Sequence, residues 1–452
     1  MIRYYHTRHC WQAMQASLVL LAAVRVSGMP DPTRPWVPRF LDSYPLAICN
    51  DGSPAAYFYR QGLEGSRRWF VYLDGVGWCW DNESCENNWK RIHGTSNGFS
   101  KTEAELKPRA DMYLNTGIFD PKRSPIKDAH VAFVKSCSND AFMGDKSPPD
   151  PTNLPPWPLR KAEDGWHFRG RRIIEAVFKD LRTRTPFLGR MVGDRVIYGG
   201  CSAGARGAIA TMDYVSGSSE IVGKAGVVGL LDSGLWVPIS PTSQALAPGW
   251  KSFGQQTRAA MKMVNASALI TGPCLERYQR QERWKCLMAS YRLPFVRTPY
   301  FLVHSQYDRF ALGMNIFGHW FQGKTVGGSG TPNEEWAEKY RQLVRGYLPN
   351  PQNGSGIVVY SPACFFHCVM TKVSFWTTFA NGLYLVKVLE EWLESPDTAG
   401  SKIIENCKGF NCGSKIPRLR LLQHVEARRA GTLVEDPAAM DRKIGGVPIL
   451  LT

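Results

Sequence analysis

The chain has 452 residues, and its 55 Lys and Arg against 39 Asp and Glu give a formal charge of +16. An apolar content of 44% with 15 Trp excludes an intrinsically disordered chain, which is poor in aromatics. Gly and Pro without a period exclude a collagenous or coiled-coil rod, and 12 Cys diluted over this length exclude a small disulfide-knotted domain.

The first thirty residues address the compartment. Arg3, His6, Arg8 and His9 make a basic start, residues 13–24 are mostly apolar, and Ser27-Gly28 precede a Pro-rich run. This layout predicts a secretory signal peptide over residues 1–28, with an uncleaved signal anchor as the competing reading. The apolar run is short for a bilayer span, and no later segment reaches the ~18 uninterrupted apolar residues a span needs. Removal of Arg3, Arg8 and Arg25 lowers the charge to +13. The mature chain is therefore expected to be secreted. The close cysteine pairs 79/85, 274/286 and 407/412 suggest short disulfide loops. Zinc is the competing use of cysteine, but there is no Cys-x-x-Cys pair and His is scarce. Glycosylation sequons start at Asn82, Asn265 and Asn353 and agree with secretion.

Further along, Arg67–Leu73 reads as a buried strand ending in a Gly-rich turn, and Ala129–Val134 as another. Residues 146–160 form a Pro-rich loop. Ile173, Val177 and Leu181 at four-residue spacing predict a helix over about 165–181. The short strand 195–200 runs into a helix that starts in Cys201-Ser202-Ala203-Gly204. Strands are expected at 226–231, 300–304 and 356–360, and helices near 334–346 and 374–393. Short apolar strands alternating with helices imply an α/β fold with a mainly parallel sheet covered on both faces. Residues 29–395 read as one domain. Residues 396–452, with Arg418-Leu419-Arg420 and Arg428-Arg429, read as a basic C-terminal tail, peripheral or partly disordered.

The sharpest chemical feature is Gly200-Cys201-Ser202-Ala203-Gly204, a G-x-S-x-G between a predicted strand and a predicted helix. Small residues on both sides let the backbone turn sharply and push the serine hydroxyl out at the carboxyl end of the sheet. The competing reading is a Gly/Ala-rich helix start packed tightly on its strand. A serine nucleophile needs a base and an orienting acid, in the chain order Ser, Asp or Glu, His. Of the downstream histidines, His304 falls in a strand, His319 in an aromatic stretch and His424 in the tail. His367 follows a late strand, where a base belongs. Asp308 follows strand 300–304 and is the preferred acid; Asp232, which also ends a strand, competes with it. Ala203, after the nucleophile, and the loop Asp74-Gly75-Val76-Gly77-Trp78-Cys79 are candidates for the backbone donors of an oxyanion hole.

Several blocks in order resemble the pectin acetylesterase family, which also includes Notum-like carboxylesterases. They are Cys49–Tyr57, Leu73–Cys79, Cys137-Ser138-Asn139-Asp140, Gly200–Gly204, Tyr307-Asp308 and Cys364-Phe365-Phe366-His367-Cys368. The resemblance spans about residues 45–395. It implies an α/β-hydrolase-like fold, a Ser202–His367–Asp308 triad, and oxyanion donors from Gly77, Trp78 and Ala203. It also implies disulfides Cys79–Cys85 and Cys49–Cys137, with Cys201 unpaired. Setting aside Cys10 and Cys201 leaves ten cysteines for five bridges. Two departures stand out: Val76 interrupts the usual glycines of the oxyanion loop, and Ala205 replaces a glycine.

The expected reaction is two-step acyl transfer, with no metal or organic cofactor. The family's two substrate types are acetyl esters of an acidic polysaccharide and a long acyl chain on a protein. Positive charge and the Cys364–Cys368 block favour the acetylated polysaccharide. Trp78, Trp80, Phe365 and Phe366 are candidates to line an acyl pocket, or else ordinary core and rim aromatics. An inactive, glycan-binding relative is the non-enzyme alternative. Nucleic acid is not an expected partner, since no nucleic-acid motif is present.

Overall fold

A computed structural model of the protein describes residues 34–89, 95–96, 114–148, 165–242, 251–317 and 332–409. The expected signal peptide, most of the Pro-rich loop, His319, His424 and Cys412 lie outside these residues.

Among the described residues, nine strands form one sheet: β1 (Trp36–Phe40), β2 (Ala56–Arg60), β3 (Arg68–Leu73), β4 (His130–Val134), β5 (Arg195–Cys201), β6 (Gly226–Asp232), β7 (Tyr300–Val303), β8 (Ile357–Ser361) and β11 (Gly400–Ile404). Their order is β1-β2-β4-β3-β5-β6-β7-β8-β11. Pairing is antiparallel from β1 to β2 and from β2 to β4, and parallel across the remaining strands. The parallel strands read as near-continuous apolar runs because both faces are covered. Alternate residues serve opposite faces: Val71, Leu73 and Tyr198 join one core, while Phe70, Tyr72 and Ile197 join the other.

The helices that matter for the site are α1 (Asn82–Trp89), α2 (Gly170–Thr183), α3 (Ala203–Ser216), α4 (Phe253–Met263), α5 (Arg309–Phe317), α6 (Pro332–Tyr347) and α7 (Leu385–Glu394). Helix α2 buries Ile173, Val177 and Leu181, the residues whose spacing predicts it. Helix α4 starts in a capping box, Ser252 with Gln255.

One expectation needs correction. Residues 374–393 are not one helix. A 3-10 turn (Val373–Trp376) comes first, then a hairpin of β9 (Phe379–Ala380) and β10 (Leu383–Tyr384), and only then α7. Asn381 and Gly382 both take positive φ, so this dipeptide makes the hairpin turn that interrupts the helical pattern. The sheet runs past residue 395, since Gly400–Ile404 pairs in parallel with β8. Ile403 is buried there, while its neighbours on the strand stay partly exposed, as befits an edge.

Candidate active site

Ser202 sits between β5 and α3 with φ 55° and ψ −118°. Positive φ in a residue other than glycine costs of order 1–3 kcal/mol and persists only where surroundings enforce it. Here the Ser202 N–H donates to the Asp232 carbonyl at 2.9 Å, and the Arg206 N–H donates to the Ser202 carbonyl at 2.9 Å. A Cβ on Gly204 would stand 2.0 Å from the Leu73 carbonyl oxygen, so only glycine lets α3 start this close to β3. Ala203 is the first residue of α3. Its N–H has no acceptor within the helix and lies at the positive end of the helix dipole.

The loop after β3 lies flat against this turn. A Cβ on Gly75 would come 2.3 Å from the Cys201 carbonyl oxygen. Gly77 takes φ +93°, whereas Val76 does not take positive φ, so the interrupted glycine run still fits the backbone. The loop is held from outside the turn. Asn88 donates to the Trp78 carbonyl at 2.7 Å, the Cys79 N–H donates to the Asn139 carbonyl at 2.9 Å, and Lys135 pairs with Asp74 at 2.9 Å. Cys79 bonds Cys85 and Cys49 bonds Cys137, as the family resemblance implies.

Asp308 and His367 follow β7 and β8 and meet. His367 Nδ1 lies 2.7 Å from Asp308 Oδ2, and the other carboxylate oxygen accepts the Ala311 N–H at 2.9 Å. Both side chains are buried. Burial pushes the Asp308 carboxyl up, but the adjacent His367, His304 and the Ala311 N–H outweigh it and hold the group below its ordinary range. His304 is fully buried, with Nε2 3.4 Å from the Tyr340 hydroxyl.

Asp232 plays a different part. Its carboxylate accepts the Met370 N–H and the Ser233 hydroxyl, each at 2.8 Å, and Ser233 Oγ in turn accepts the Cys368 N–H at 2.9 Å. Burial raises its pKa. Lys372 donates to the His367 carbonyl at 2.6 Å, and the Arg309 N–H donates to the Phe366 carbonyl at 3.1 Å. Asp232 therefore anchors the segment carrying His367 rather than touching its ring.

A further tie corrects the cysteine assignment. Cys201 is not unpaired but disulfide-bonded to Cys368, with Cα atoms 5.6 Å apart across 167 residues of sequence. The end of β5 and the loop after β8 converge in space, which no spacing reveals. The Cys201 and Cys368 sulfurs and a ring nitrogen of His367 all lie within 4.8 Å of one another, so the bond sets His367 beside the Ser202 turn. Cys274 bonds Cys286, and Cys407 is disulfide-bonded as well.

Of the aromatics singled out in the sequence, Trp78 is buried while Trp80 and Phe365 are partly buried against the core. Trp78 meets Trp236, Phe253 and Phe310, which sequence reasoning missed because they come from three separate stretches. Arg206, buried one turn after Ser202, was missed too; an arginine among alanines and glycines is the signal that marks it.

A central strand ending in a strained serine turn, and a hydrogen-bonded Asp–His pair after two later parallel strands, are the marks of an α/β-hydrolase fold. The profile of the pectinacetylesterase family matches residues 39–413. The chain is 26% identical over 395 residues to palmitoleoyl-protein carboxylesterase notum2 of Xenopus laevis, covering 83% of this chain and 73% of that protein. It is 24% identical over 393 residues to human palmitoleoyl-protein carboxylesterase NOTUM, covering 82% and 71%. A crystal structure of the Wnt deacylase Notum from Drosophila superposes with a TM-score of 0.67 at 23% identity, covering 84% of this chain and 99% of that one. The chain belongs to the pectinacetylesterase family, whose relatives are carboxylesterases. Its several disulfides fit an oxidising, secretory compartment, and no described helix is long and apolar enough to cross a membrane.

Proposed function

We propose that this protein is a secreted serine esterase that removes acetyl groups from an acidic polysaccharide. The observation that carries the reading is the buried 2.7 Å His367–Asp308 bond, tied by Cys368–Cys201 to the residue preceding the strained Ser202. Ser202 attacks the ester carbonyl as His367 takes its proton. Asp308 fixes the imidazole with Nδ1 protonated and stabilises the imidazolium. The N–H groups of Gly77, Trp78 and Ala203 receive the developing oxyanion. His367 then protonates the leaving alcohol, and water, activated by the same residue, releases the acyl-enzyme.

The formal positive charge supports an anionic glycan by long-range attraction. The second reading, removal of a longer acyl chain from a lipidated protein, is favoured by similarity to the Notum carboxylesterases over most of the chain. Purified wild type and Ser202→Ala, assayed by acetate release from acetylated pectin, decide the matter. Ser202-dependent acetate release supports the proposal. Ser202-dependent activity confined to long-chain acylated peptide supports the second reading. Retention on pectin with no esterase activity would mean an inactive glycan binder.

A further inference from the structure

Four aromatic side chains stack beside the site. Ring centroids are 3.9 Å apart for Trp78 and Trp236, 5.3 Å for Trp236 and Phe253, and 6.1 Å for Phe253 and Phe310. Phe310 then lies 5.2 Å from the His367 ring. The stack touches three elements that surround Ser202. Trp78 belongs to the loop on the nucleophile turn, and Phe310 to α5 just beyond Asp308. Arg206, on α3, sits 4.9 Å over the Trp78 ring and 5.2 Å over Trp236. Trp78, Trp236 and Phe253 are buried, whereas Phe310 is half-buried at the edge. Rings thus occupy the ground between the nucleophile helix, the oxyanion loop and the base.

We propose that this stack is an acyl-length stop: Trp236 and Phe310 are specificity-determining residues that leave room for a two-carbon acyl group on Ser202 and refuse a chain of eight carbons. The inference rests on the serine-esterase reading and names the residues that restrict its substrate.

Arg206 gives an independent reason. Its guanidinium donates to Thr257 Oγ1 at 2.8 Å and to the Leu287 carbonyl at 3.3 Å, but among the described residues it has no carboxylate partner and Nη1 has no acceptor. Burial pushes its pKa down to about 9. The faces of Trp78 and Trp236 are what meets this desolvated charge. A long alkyl chain replacing the rings would set hydrocarbon against the cation, which is costly. The stack is therefore held in place, and does not yield to a lipid as a patch of aliphatic side chains would.

The test is kcat/KM on p-nitrophenyl acetate and p-nitrophenyl octanoate for wild type, Trp236→Ala and Phe310→Ala, with near-UV circular dichroism to establish folding. Wild type is expected to favour acetate by at least about 100-fold, and the octanoate-to-acetate ratio to rise at least about tenfold in either folded variant. Comparable wild-type turnover of both esters, or an unchanged ratio in the folded variants, overturns the stop. If Trp236→Ala does not fold, Phe310→Ala and Trp236→Leu decide. Ser202-dependent activity with an unchanged ratio defeats the stop alone; esterase activity that survives Ser202→Ala, or none in wild type, defeats the esterase reading as well.

Discussion

Asp232, which ends β6, and Asp308, which lies in the loop after β7, illustrate what the residue scale decides. Sequence order admits either as the acid, and geometry separates them, because only Asp308 reaches the His367 ring. Asp308→Asn is expected to lower kcat about 10³–10⁴-fold with little loss of stability, since an amide favours the wrong imidazole tautomer. Asp232→Ala should instead lower stability by about 1–3 kcal/mol, because it strands the Met370 N–H and the Ser233 hydroxyl. Parallel kinetic and denaturation measurements check the pair; equal loss of kcat with no loss of stability in Asp232→Ala would contradict the assignment. Gly75→Ala tests the contact between the loop after β3 and the Ser202 turn, the proposed oxyanion loop and nucleophile. Its methyl would strike the Cys201 carbonyl at 2.3 Å, so the loop must shift and kcat should fall at least about tenfold, read with a short-chain ester. Residue types and local turns were legible at this scale: the G-x-S-x-G and the histidine after a late strand are local signals. Arg206, Trp236 and the stacking of Trp78 on Trp236 were not, since nothing in a linear spacing says that rings from three stretches will stack.

Between elements, the loop after β8 is the part whose position matters most, and its fastening is non-local. The Cys201–Cys368 bond closes 167 residues, so its loss in a Cys201→Ser/Cys368→Ser variant should cost about 2–5 kcal/mol by the usual range for native disulfides. It should also lower kcat, because the segment bearing His367 then loses its covalent tie to the Ser202 turn and keeps only hydrogen bonds such as those of Ser233, Asp232 and Lys372. Urea denaturation and ester kinetics on the same preparation check both effects; a fully active, equally stable variant would show that the remaining ties suffice. Strands β3 to β8 were legible because each is a short apolar run bounded by turn residues. The helix expected over 374–393 was not, since the Asn381-Gly382 turn competes with helical periodicity and wins by making a hairpin.

For the whole molecule, buried neutral histidines give folding stability an acid limb. His130 stacks on Trp69 with centroids 4.4 Å apart, and its Nδ1 accepts the Gly62 N–H at 2.8 Å. Burial lowers its pKa to about 4. The folded state thus binds fewer protons than the unfolded state between pH 4 and 6.5, and the contribution present above pH 6.5 is lost as pH falls through that window. Measured against His130→Gln, wild-type stability should drop by up to about 3 kcal/mol from pH 6.5 to 4. A pH-independent difference would show that His130 takes up its proton as readily in the fold as in the unfolded chain. The sequence by itself determined the α/β alternation, the serine turn and the triad candidates, because hydrophobic period and turn chemistry are written locally. Only the tertiary structure decided which aspartate meets His367, that Cys201 bonds Cys368, and that four rings from separate stretches stack against one another and against Arg206. Those are meetings of residues far apart in the chain, and chain connectivity does not encode them until the sheet brings its strand ends to one edge.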